Sequence, residues 1–309
     1  MTKSMADGLP WAVIVSSSRY FHNYRHTSNA LSIYHTVRRL GVPDSQIILM
    51  LAGSVPCDVR NLASGSMFND AMHRHELYPA DVEVDYRGDT VTVDSLLGVL
   101  TDRLPPTTPA SRRLRSGARS RVLLYLTGHG GEEFLKFHDQ YELTALDLAS
   151  ALGTLFAQRR CAEVLLLADT CQAATLTSHL DAEAALLRAV SEEEQGRLAA
   201  ARALQGPGLR EPAAPAPMRV VSLSSAALGE NSYSFEVDPK LGVAVSRRVL
   251  THALTRLLSN LLRPAARARA GERPLLVPSP PTPLLKRPRQ HHRAQRAGGT
   301  PDPHPITLT

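Results

Sequence analysis

Two stretches decide the fold: residues 122–131, VLLYLTGHGG, and residues 164–173, VLLLADTCQA. Each begins as a continuous apolar run and then changes abruptly to small and polar residues. Such runs are typical of strands that are buried on both faces of a parallel sheet. The two stretches therefore predict two core strands, each followed directly by a polar turn.

The rest of the chain repeats this alternation of strands and helices. Apolar runs predict further core strands, and apolar residues at helical spacing predict the helices between them. The strands are expected at residues 11–15, 47–51 and 218–223. Residues 91–100 are expected to be the end of a strand that runs into a short helix. Longer helices are expected around residues 31–40, 148–156 and 249–261. Thr144 and Asp147 have the spacing of a capping box before the helix at 148–156. We therefore predict the α/β class, as a three-layer α/β/α sandwich with a mostly parallel central sheet.

Two short segments alternate apolar and polar residues instead. They are residues 82–86, VEVDY, and residues 134–137, FLKF. A period of two predicts small exposed ribbons attached to the main sheet.

Charge and composition divide the chain into a folded body and a tail. Residues 261–309 hold nine Lys or Arg and two Asp or Glu, a net charge of +7, whereas the whole chain carries +6. We predict one domain over residues 1–262 and a basic, proline-rich, disordered tail over residues 263–309. Residues 181–217 are first rich in Ala and Glu and then broken by Gly and Pro, which predicts a helical or disordered insertion.

The cysteines and the targeting signals limit the class of protein. Three cysteines cannot form a disulfide framework, and an odd number leaves at least one thiol free or bonded to another chain. No apolar run approaches the roughly 18 to 20 residues of a transmembrane helix. The residues after Met1 lack the pattern of a signal peptide.

The chemistry is expected at the ends of the two core strands. Ligands bind at the carboxyl ends of parallel strands, and this places His129 and Cys171 on one edge of the sheet. A nucleophilic cysteine needs a nearby base, a field that favours its thiolate and backbone N–H groups aimed at the oxyanion. His129 can supply the base, a helix beginning after Cys171 can supply the field, and Gly130 can supply an unscreened N–H.

Other interpretations of these residues remain open at this point. A cysteine that ends a buried strand is often an inert small apolar residue, and a histidine among glycines is often a turn residue. A zinc site from His129, Asp169, Cys161 and Cys171 has little support, because Cys161 begins its strand and Cys171 follows the end of the same strand.

The motifs resemble, in combination, those of a known enzyme family. They are similar to the motifs of the catalytic subunits of glycosylphosphatidylinositol (GPI)-anchor transamidases, which are legumain-like cysteine peptidases of family C13. The segments that carry the resemblance are 11–15 (WAVIV), 23–26 (NYRH), 81–87 (DVEVDYR), 126–137 (LTGHGGEEFLKF) and 169–173 (DTCQA). The resemblance implies a caspase-type fold, with Cys171 as nucleophile, His129 as general base and then acid, and Asn23 as the group that positions the histidine.

The resemblance also implies a reaction and its partners. Cys171 would cleave the carboxyl-terminal GPI signal of a preprotein, and the ethanolamine amine of the GPI glycolipid would then displace the thioester. The chemistry would need no cofactor. The implied partners are the other transamidase subunits, the preprotein and the GPI glycolipid, in the endoplasmic reticulum. A free asparaginyl endopeptidase is the alternative within enzymes. The third hypothesis is a protein that binds nucleic acid or an acidic surface through its tail and has a degenerate peptidase-like body. The tail lacks interleaved aromatic residues, so such binding would be electrostatic, and the intact Cys171 and His129 argue against a degenerate body.

Further residues match family positions. Arg25, Gln172, Ser224 and Ser225 match the primary specificity pocket, for which ordinary surface polarity is the alternative. Asp44, Glu83 and Asp85 match a calcium site, for which a solvated acidic face is the alternative. Cys57 matches a cysteine that bonds to a partner subunit, for which a free surface thiol is the alternative.

Overall fold

The computed structural model describes residues 8–205, 217–234, 236–246 and 307–308. Twelve strands lie in the described residues: β1 (Trp11–Ser16), β2 (Ile47–Leu51), β3 (Tyr86–Arg87), β4 (Arg121–Thr127), β5 (Gly130–Gly131), β6 (Phe134–Phe137), β7 (Tyr141–Thr144), β8 (Glu163–Asp169), β9 (Val220–Ser224), β10 (Glu236–Asp238), β11 (Val243–Ser246) and β12 (Thr307–Leu308). Four α-helices lie in the same residues: α1 (Tyr24–Arg39), α2 (Val93–Thr101), α3 (Ala145–Ala157) and α4 (Leu180–Gln205).

The central sheet has the strand order β12-β9-β8-β4-β1-β2-β3. Strands β9, β8, β4, β1, β2 and β3 run parallel to their neighbours, and β12 pairs antiparallel with β9. Every residue of β1 and β2 is buried, as continuous apolar runs require in a sheet covered on both faces. The predicted parallel α/β sheet is confirmed.

Alternate residues of each core strand face opposite layers. In β1, Val13 and Val15 belong to an apolar cluster that includes residues of α2 and α3. Ala12 and Ile14 belong to a second cluster that includes residues of α1. Because successive side chains of a strand point to opposite faces, the sheet lies between α1 on one side and α2 with α3 on the other, in the predicted α/β/α arrangement.

Local signals fix where α3 begins. The backbone N–H of Asp147 donates to Oγ1 of Thr144 at 3.1 Å, and the N–H of Thr144 donates to Oδ2 of Asp147 at 3.3 Å. The predicted capping box is confirmed. The strand end predicted at residue 91 is wrong, since Val91 lies between a 3₁₀ turn and the start of α2.

Both predicted exposed ribbons need correction. Residues 82–85 form no strand, because Asp85 folds onto β2 and exchanges hydrogen bonds with the backbone of Leu49, at 3.0 Å through its N–H and 2.9 Å through its carboxylate. The other segment is β6, the middle strand of an antiparallel sheet ordered β5-β6-β7. It is a ribbon as expected, but its Leu135 and Phe137 are completely buried, so only one of its faces meets solvent.

Several expectations fall wholly or partly outside the described residues. Helix α4 occupies the first part of the 181–217 segment, and residues 206–216 are not among those described. The helix expected at 249–261 and most of the tail 263–309 lie outside as well, and they stay predictions. Within the described part of the chain, no helix combines the length and apolarity needed to cross a bilayer.

Candidate active site

The register of the sheet sets the position of the two candidate residues. Thr127 at the end of β4 and Asp169 at the end of β8 are direct partners in neighbouring parallel strands. His129 follows the first strand by two residues and Cys171 follows the second by two. Both side chains therefore emerge at equivalent positions on the carboxyl edge of the sheet, where ligands bind in α/β proteins.

Asn23 fixes the orientation and the proton position of His129. The amide nitrogen Nδ2 of Asn23 donates to the carbonyl oxygen of Arg19 at 2.6 Å. The other amide atom, Oδ1, lies 2.7 Å from Nε2 of His129. An amide oxygen only accepts hydrogen bonds, so Nε2 of His129 must carry the proton. The lone pair of the neutral ring is then on Nδ1, which becomes the basic atom.

The surroundings of His129 keep its ring neutral. Burial lowers the pKa of His129 below its ordinary value of 6.5, and the positive charges of Arg25, His22 and Lys136 lower it further. The carboxylate of Asp139 opposes them. A ring that is neutral at neutral pH can take a proton from a thiol, so Arg25 contributes to the site through its charge.

A second histidine, His26, packs against His129. The two rings meet edge to face, with centroids 5.0 Å apart and an interplanar angle of 79°. His26 is buried, and its Nδ1 lies 2.9 Å from the hydroxyl of Ser18. Neither His26 nor Ser18 was expected at the site from the sequence, although His26 stands within the NYRH segment that carried the family resemblance.

The glycines around His129 allow the turn to pack tightly. A Cβ on Gly128 would lie 2.1 Å from Oγ of Ser17, and a Cβ on Gly130 would lie 2.5 Å from Oγ1 of Thr170 and 2.6 Å from the carbonyl oxygen of Phe134. Gly130, the predicted oxyanion donor, lies in β5 opposite Leu135. These glycines are needed because the turn lies directly against the residue that follows β1 and against the residue before Cys171.

Cys171 is half-buried, and its Sγ accepts a hydrogen bond from the backbone N–H of Ser232 at 3.4 Å. The α-helix that was expected to begin directly after Cys171 is absent from this part of the described chain. Gln172 adopts a left-handed conformation with φ of 51°, and a 3₁₀ helix of five residues, Ala173–Thr177, follows. The field of a long helix therefore does not act on this thiol.

The two serines at the end of β9 differ in accessibility. Oγ of Ser224 is enclosed and has no hydrogen-bond partner among the described residues. Oγ of Ser225 donates to the carbonyl oxygen of Thr170 at 3.2 Å and lies 2.8 Å from Oγ of Ser232. Gln172, the other predicted pocket residue, accepts at Oε1 from the N–H of Gly229 at 3.2 Å. Ser225 is therefore bonded to the residue before Cys171, and Gln172 is bonded to the loop after β9, whereas Ser224 is enclosed.

A cavity of about 600 Å³ is lined in part by the residues that precede Asn23 in the sequence. Its lining combines aromatic and cationic side chains with an apolar wall: Tyr20, Phe21, His22, Arg60, Leu241, Gly242 and Val243. No local sequence pattern predicts this cavity, because its residues come from three separate parts of the chain.

Of the predicted calcium residues, Asp44 lies at the end of β2 opposite this edge, and Asp85 lies beside Leu49 in the middle of β2. Asp44 belongs to the turn before β2, and its Oδ1 accepts from the hydroxyl of Tyr34 at 2.5 Å. A hydrogen bond with Asp44, together with the charge of Asp44, raises the pKa of Glu83. Burial, and then the charges of Asp44 and Glu83, raise the pKa of Asp85 to about 6. The three carboxyl groups therefore lie near one another, and each is the hard oxygen donor that calcium prefers.

Metal-site geometry is nevertheless absent from the described residues. No group of three His, Cys, Asp or Glu side chains there is arranged to hold a metal ion. The side chain of Asp44 forms a hydrogen bond with Glu83 instead, and this bond raises the pKa of Glu83. The calcium site stays a prediction.

The other two cysteines have different surroundings. Cys57 is exposed at the end of a 3₁₀ helix. Cys161 is buried, and burial raises the pKa of its thiol to about 12. A thiol with such a pKa stays protonated, so Cys161 cannot compete with Cys171 as a nucleophile.

Comparison with known proteins agrees with this geometry. A sequence profile of the peptidase C13 family matches residues 10–197, which is more than half of the chain. The chain belongs to the peptidase C13 family. The matched region contains Asn23, His129 and Cys171, and the family predicted from the motifs is confirmed.

Individual relatives extend the match beyond that region. A protein of Caenorhabditis elegans is 42% identical over 249 residues, which are 81% of this chain and 66% of that protein. The GPI-anchor transamidase of Schizosaccharomyces pombe is 40% identical over 77% of this chain, and that of Homo sapiens is 38% identical over 79%. The matches cover 53% of each of these two enzymes. The chain thus spans between about half and two thirds of the length of these curated relatives.

Proposed function

We propose that this chain is the catalytic subunit of a GPI-anchor transamidase. The observation that carries the proposal is the His129–Asn23 hydrogen bond at the edge from which Cys171 emerges. It leaves the lone pair of His129 on Nδ1, available to take the thiol proton. The names of the relatives from Schizosaccharomyces pombe and Homo sapiens supply the reaction.

The first half of the reaction makes an acyl-enzyme. Nδ1 of His129 takes the proton of Cys171 as Sγ attacks the carbonyl carbon at the anchor site. The oxyanion is stabilised by a backbone N–H, for which Gly130 is the candidate. His129 then gives its proton to the leaving amine, the C–N bond breaks, and the preprotein remains bound as a thioester.

The second half transfers the acyl group to the lipid. The ethanolamine amine of GPI attacks the thioester carbonyl, and His129 accepts the proton that this amine loses. The C–S bond breaks, and Cys171 leaves as a thiolate that recovers the proton from His129. Arg25, Gln172 and Ser225 are the proposed contacts with the substrate side chain at the cleavage site.

Hydrolysis is the alternative outcome of the same thioester. An asparaginyl endopeptidase would perform every step up to the acyl-enzyme and then use water. The peptidase family match supports both outcomes equally, whereas the names of the relatives favour aminolysis.

The experiment that tests this function traps the thioester. Microsomes that contain the chain in its assembled complex receive a reporter preprotein and hydrazine, a small amine that replaces the lipid amine. We expect a reporter hydrazide at the anchor site with the unaltered chain and none with Cys171→Ala or His129→Ala. A hydrazide formed at full yield by Cys171→Ala would contradict the proposal, and cleavage without dependence on any added amine would favour the endopeptidase.

The proposed partners include a covalently bonded subunit. Cys57 is exposed, and Val59 and Leu62, two and five positions further along the chain, are 95% and 77% exposed, so the thiol and two apolar side chains of this segment are accessible to another protein. We propose a disulfide between Cys57 and another transamidase subunit in the endoplasmic reticulum. A non-reducing gel should show a heavier species that is lost with Cys57→Ser and kept with Cys161→Ser, and an unchanged pattern with Cys57→Ser would refute the bond.

A further inference from the structure

The loop that follows β9, residues 225–234, lies directly against the candidate nucleophile. The backbone N–H of Ser232 donates to Sγ of Cys171 at 3.4 Å. Ser232 is 61 positions away in the sequence and is 9% exposed. The reaction steps proposed above assign no role to this N–H donor.

A chain of two hydroxyl groups fixes this donor. Oγ of Ser225 donates to the carbonyl oxygen of Thr170 at 3.2 Å. A serine hydroxyl has one proton to donate, so the 2.8 Å contact between Ser225 and Ser232 must be a hydrogen bond from Ser232 to Ser225. Ser232 is thereby tied to the residue that immediately precedes Cys171, and its N–H is held toward Sγ.

The other side of the loop is tied to the residue after Cys171. The N–H of Gln172 donates to the carbonyl oxygen of Glu230 at 2.9 Å, and the N–H of Gly229 donates to Oε1 of Gln172 at 3.2 Å. The loop therefore contacts Thr170, Cys171 and Gln172 in succession. Movement of the Ser232 N–H away from Sγ would break bonds on both sides of the cysteine.

We infer that Ser232 stabilises the thiolate of Cys171, with its backbone N–H as the donor and its hydroxyl as the tether that positions the donor. A hydrogen bond to an anion is stronger than one to a neutral acceptor, so the N–H favours the thiolate over the thiol. This donor takes the place of the helix field that the sequence led us to expect, since Cys171 is followed by a left-handed residue and a five-residue 3₁₀ helix.

The role fits both halves of the proposed reaction. When Sγ attacks the carbonyl, its negative charge passes to the oxyanion, and when the thioester breaks, the charge returns to Sγ. A donor at Sγ makes the thiolate both easier to form and a better leaving group. The inference rests on the proposal that Cys171 is the nucleophile, but it concerns ionisation of the thiol and can be measured without any transfer reaction.

The experiment measures how alkylation of Cys171 depends on pH. The chain carries Cys57→Ser to remove the exposed thiol, and peptide mapping after iodoacetamide treatment reports Cys171 alone. Ser232→Pro removes the N–H donor. Asn231→Pro is the control, because it introduces a proline ring one residue earlier and leaves the N–H of Ser232 in place. Ser232→Ala removes only the tether, and Ser232→Thr restores a hydroxyl. Circular dichroism and thermal unfolding establish that each variant is folded.

The expected result is a graded rise in the pH of half-maximal alkylation. Ser232→Pro should raise it by about one unit, because a hydrogen bond to a charged group contributes about that much to ionisation. Ser232→Ala should raise it by a smaller amount, whereas Ser232→Thr and Asn231→Pro should match the unaltered chain.

Two results would overturn the inference. One is a folded Ser232→Pro variant in which the pH of half-maximal Cys171 alkylation equals that of the unaltered chain. If Ser232→Pro fails to fold, the other is a Ser232→Ala variant that cannot be distinguished from Ser232→Thr. A shift in alkylation together with GPI transfer that survives Cys171→Ala would keep the inference and refute the proposed function, so the two failures are separable.

Discussion

Asn23 and His129 are joined by a 2.7 Å hydrogen bond that determines which nitrogen of the imidazole carries the proton. The bond links the turn before α1 to the turn after β4, across 106 positions of sequence. Because Asn23 is itself held by the carbonyl oxygen of Arg19, its amide cannot turn over without losing that bond. The orientation of the proposed base is thus built into the fold before any substrate binds.

Loss of the Asn23 amide should misplace the base. We expect Asn23→Ala to lower the rate of GPI transfer to a reporter preprotein by about 100-fold, since a displacement of about 1 Å has an effect of that size. Asn69→Ala is the control, because its amide nitrogen donates instead to the hydroxyl of Ser32. Full activity in Asn23→Ala would remove Asn23 from the account.

The charge of Arg25 should be visible in the titration of His129. Burial and the positive charge of Arg25 both lower the pKa of His129, so Arg25→Gln should raise that pKa while burial keeps it below 6.5. An NMR titration of the His129 ring measures it directly. Arg121→Gln, at the start of β4, should leave the ring unchanged, and an equal response in both variants would show that the effect is not local.

Alanine variants of the two glycines beside His129 should differ in whether a second substitution, Ser17→Ala, restores their stability. A Cβ on Gly128 meets mainly the movable hydroxyl of Ser17, whereas a Cβ on Gly130 also meets the carbonyl oxygen of Phe134, which is backbone. Overpacking should lower the free energy of unfolding of Gly128→Ala and of Gly130→Ala by about 1 to 3 kcal/mol each. Thermal unfolding should show that Ser17→Ala partly restores the stability of Gly128→Ala but does not restore Gly130→Ala, and equal rescue would contradict the described packing.

The acidic cluster predicts a stability that depends on pH and on calcium. The pKa of Asp85 is raised from 3.8 to about 6, chiefly by burial. The fold therefore favours its protonated form, and stability is lost as pH rises from about 3.8 through about 6. Without calcium, Asp85→Asn should unfold at a higher temperature than the unaltered chain at pH 7 and at an equal temperature well below pH 4.

Calcium should reverse the difference in unfolding temperature between the unaltered chain and Asp85→Asn at pH 7. An ion bound by Asp44, Glu83 and Asp85 would stabilise the ionised carboxylates, so added calcium should raise the unfolding temperature of the unaltered chain and not that of Asp85→Asn. Magnesium serves as the control ion, because it requires a more rigid geometry. An unfolding temperature that does not respond to calcium in either protein would contradict the predicted site.

The core strands and the chemistry-bearing turns could be predicted because their signals are local. A run such as VLLYLTGHGG contains both the buried strand and the polar turn within ten residues. The ribbon expected at 82–86 was wrong because a period of two does not reveal that Asp85 pairs with the backbone of Leu49, 36 positions away.

The rest of the site depends on contacts between distant segments. Ser232 reaches Cys171 only through the path of the loop after β9, and His26 reaches His129 only because α1 packs beside β4. Ser232 carries no local pattern that distinguishes it from other polar residues, whereas His26 lies within the NYRH segment that carried the family resemblance. The left-handed conformation of Gln172, which prevents an α-helix from beginning at Cys171, is likewise set by bonds to Gly229 and Glu230.

The most direct test of the account is restoration of GPI anchoring in cells that lack their own catalytic subunit. The chain is expressed behind a secretory signal, beside Cys171→Ala and Cys171→Ser, and a GPI-anchored protein is counted at the cell surface. The account predicts that the unaltered chain restores surface display and that both variants are expressed but do not. Restoration by either Cys171 variant, or persistent failure of the unaltered chain when it is present in the endoplasmic reticulum, would contradict it.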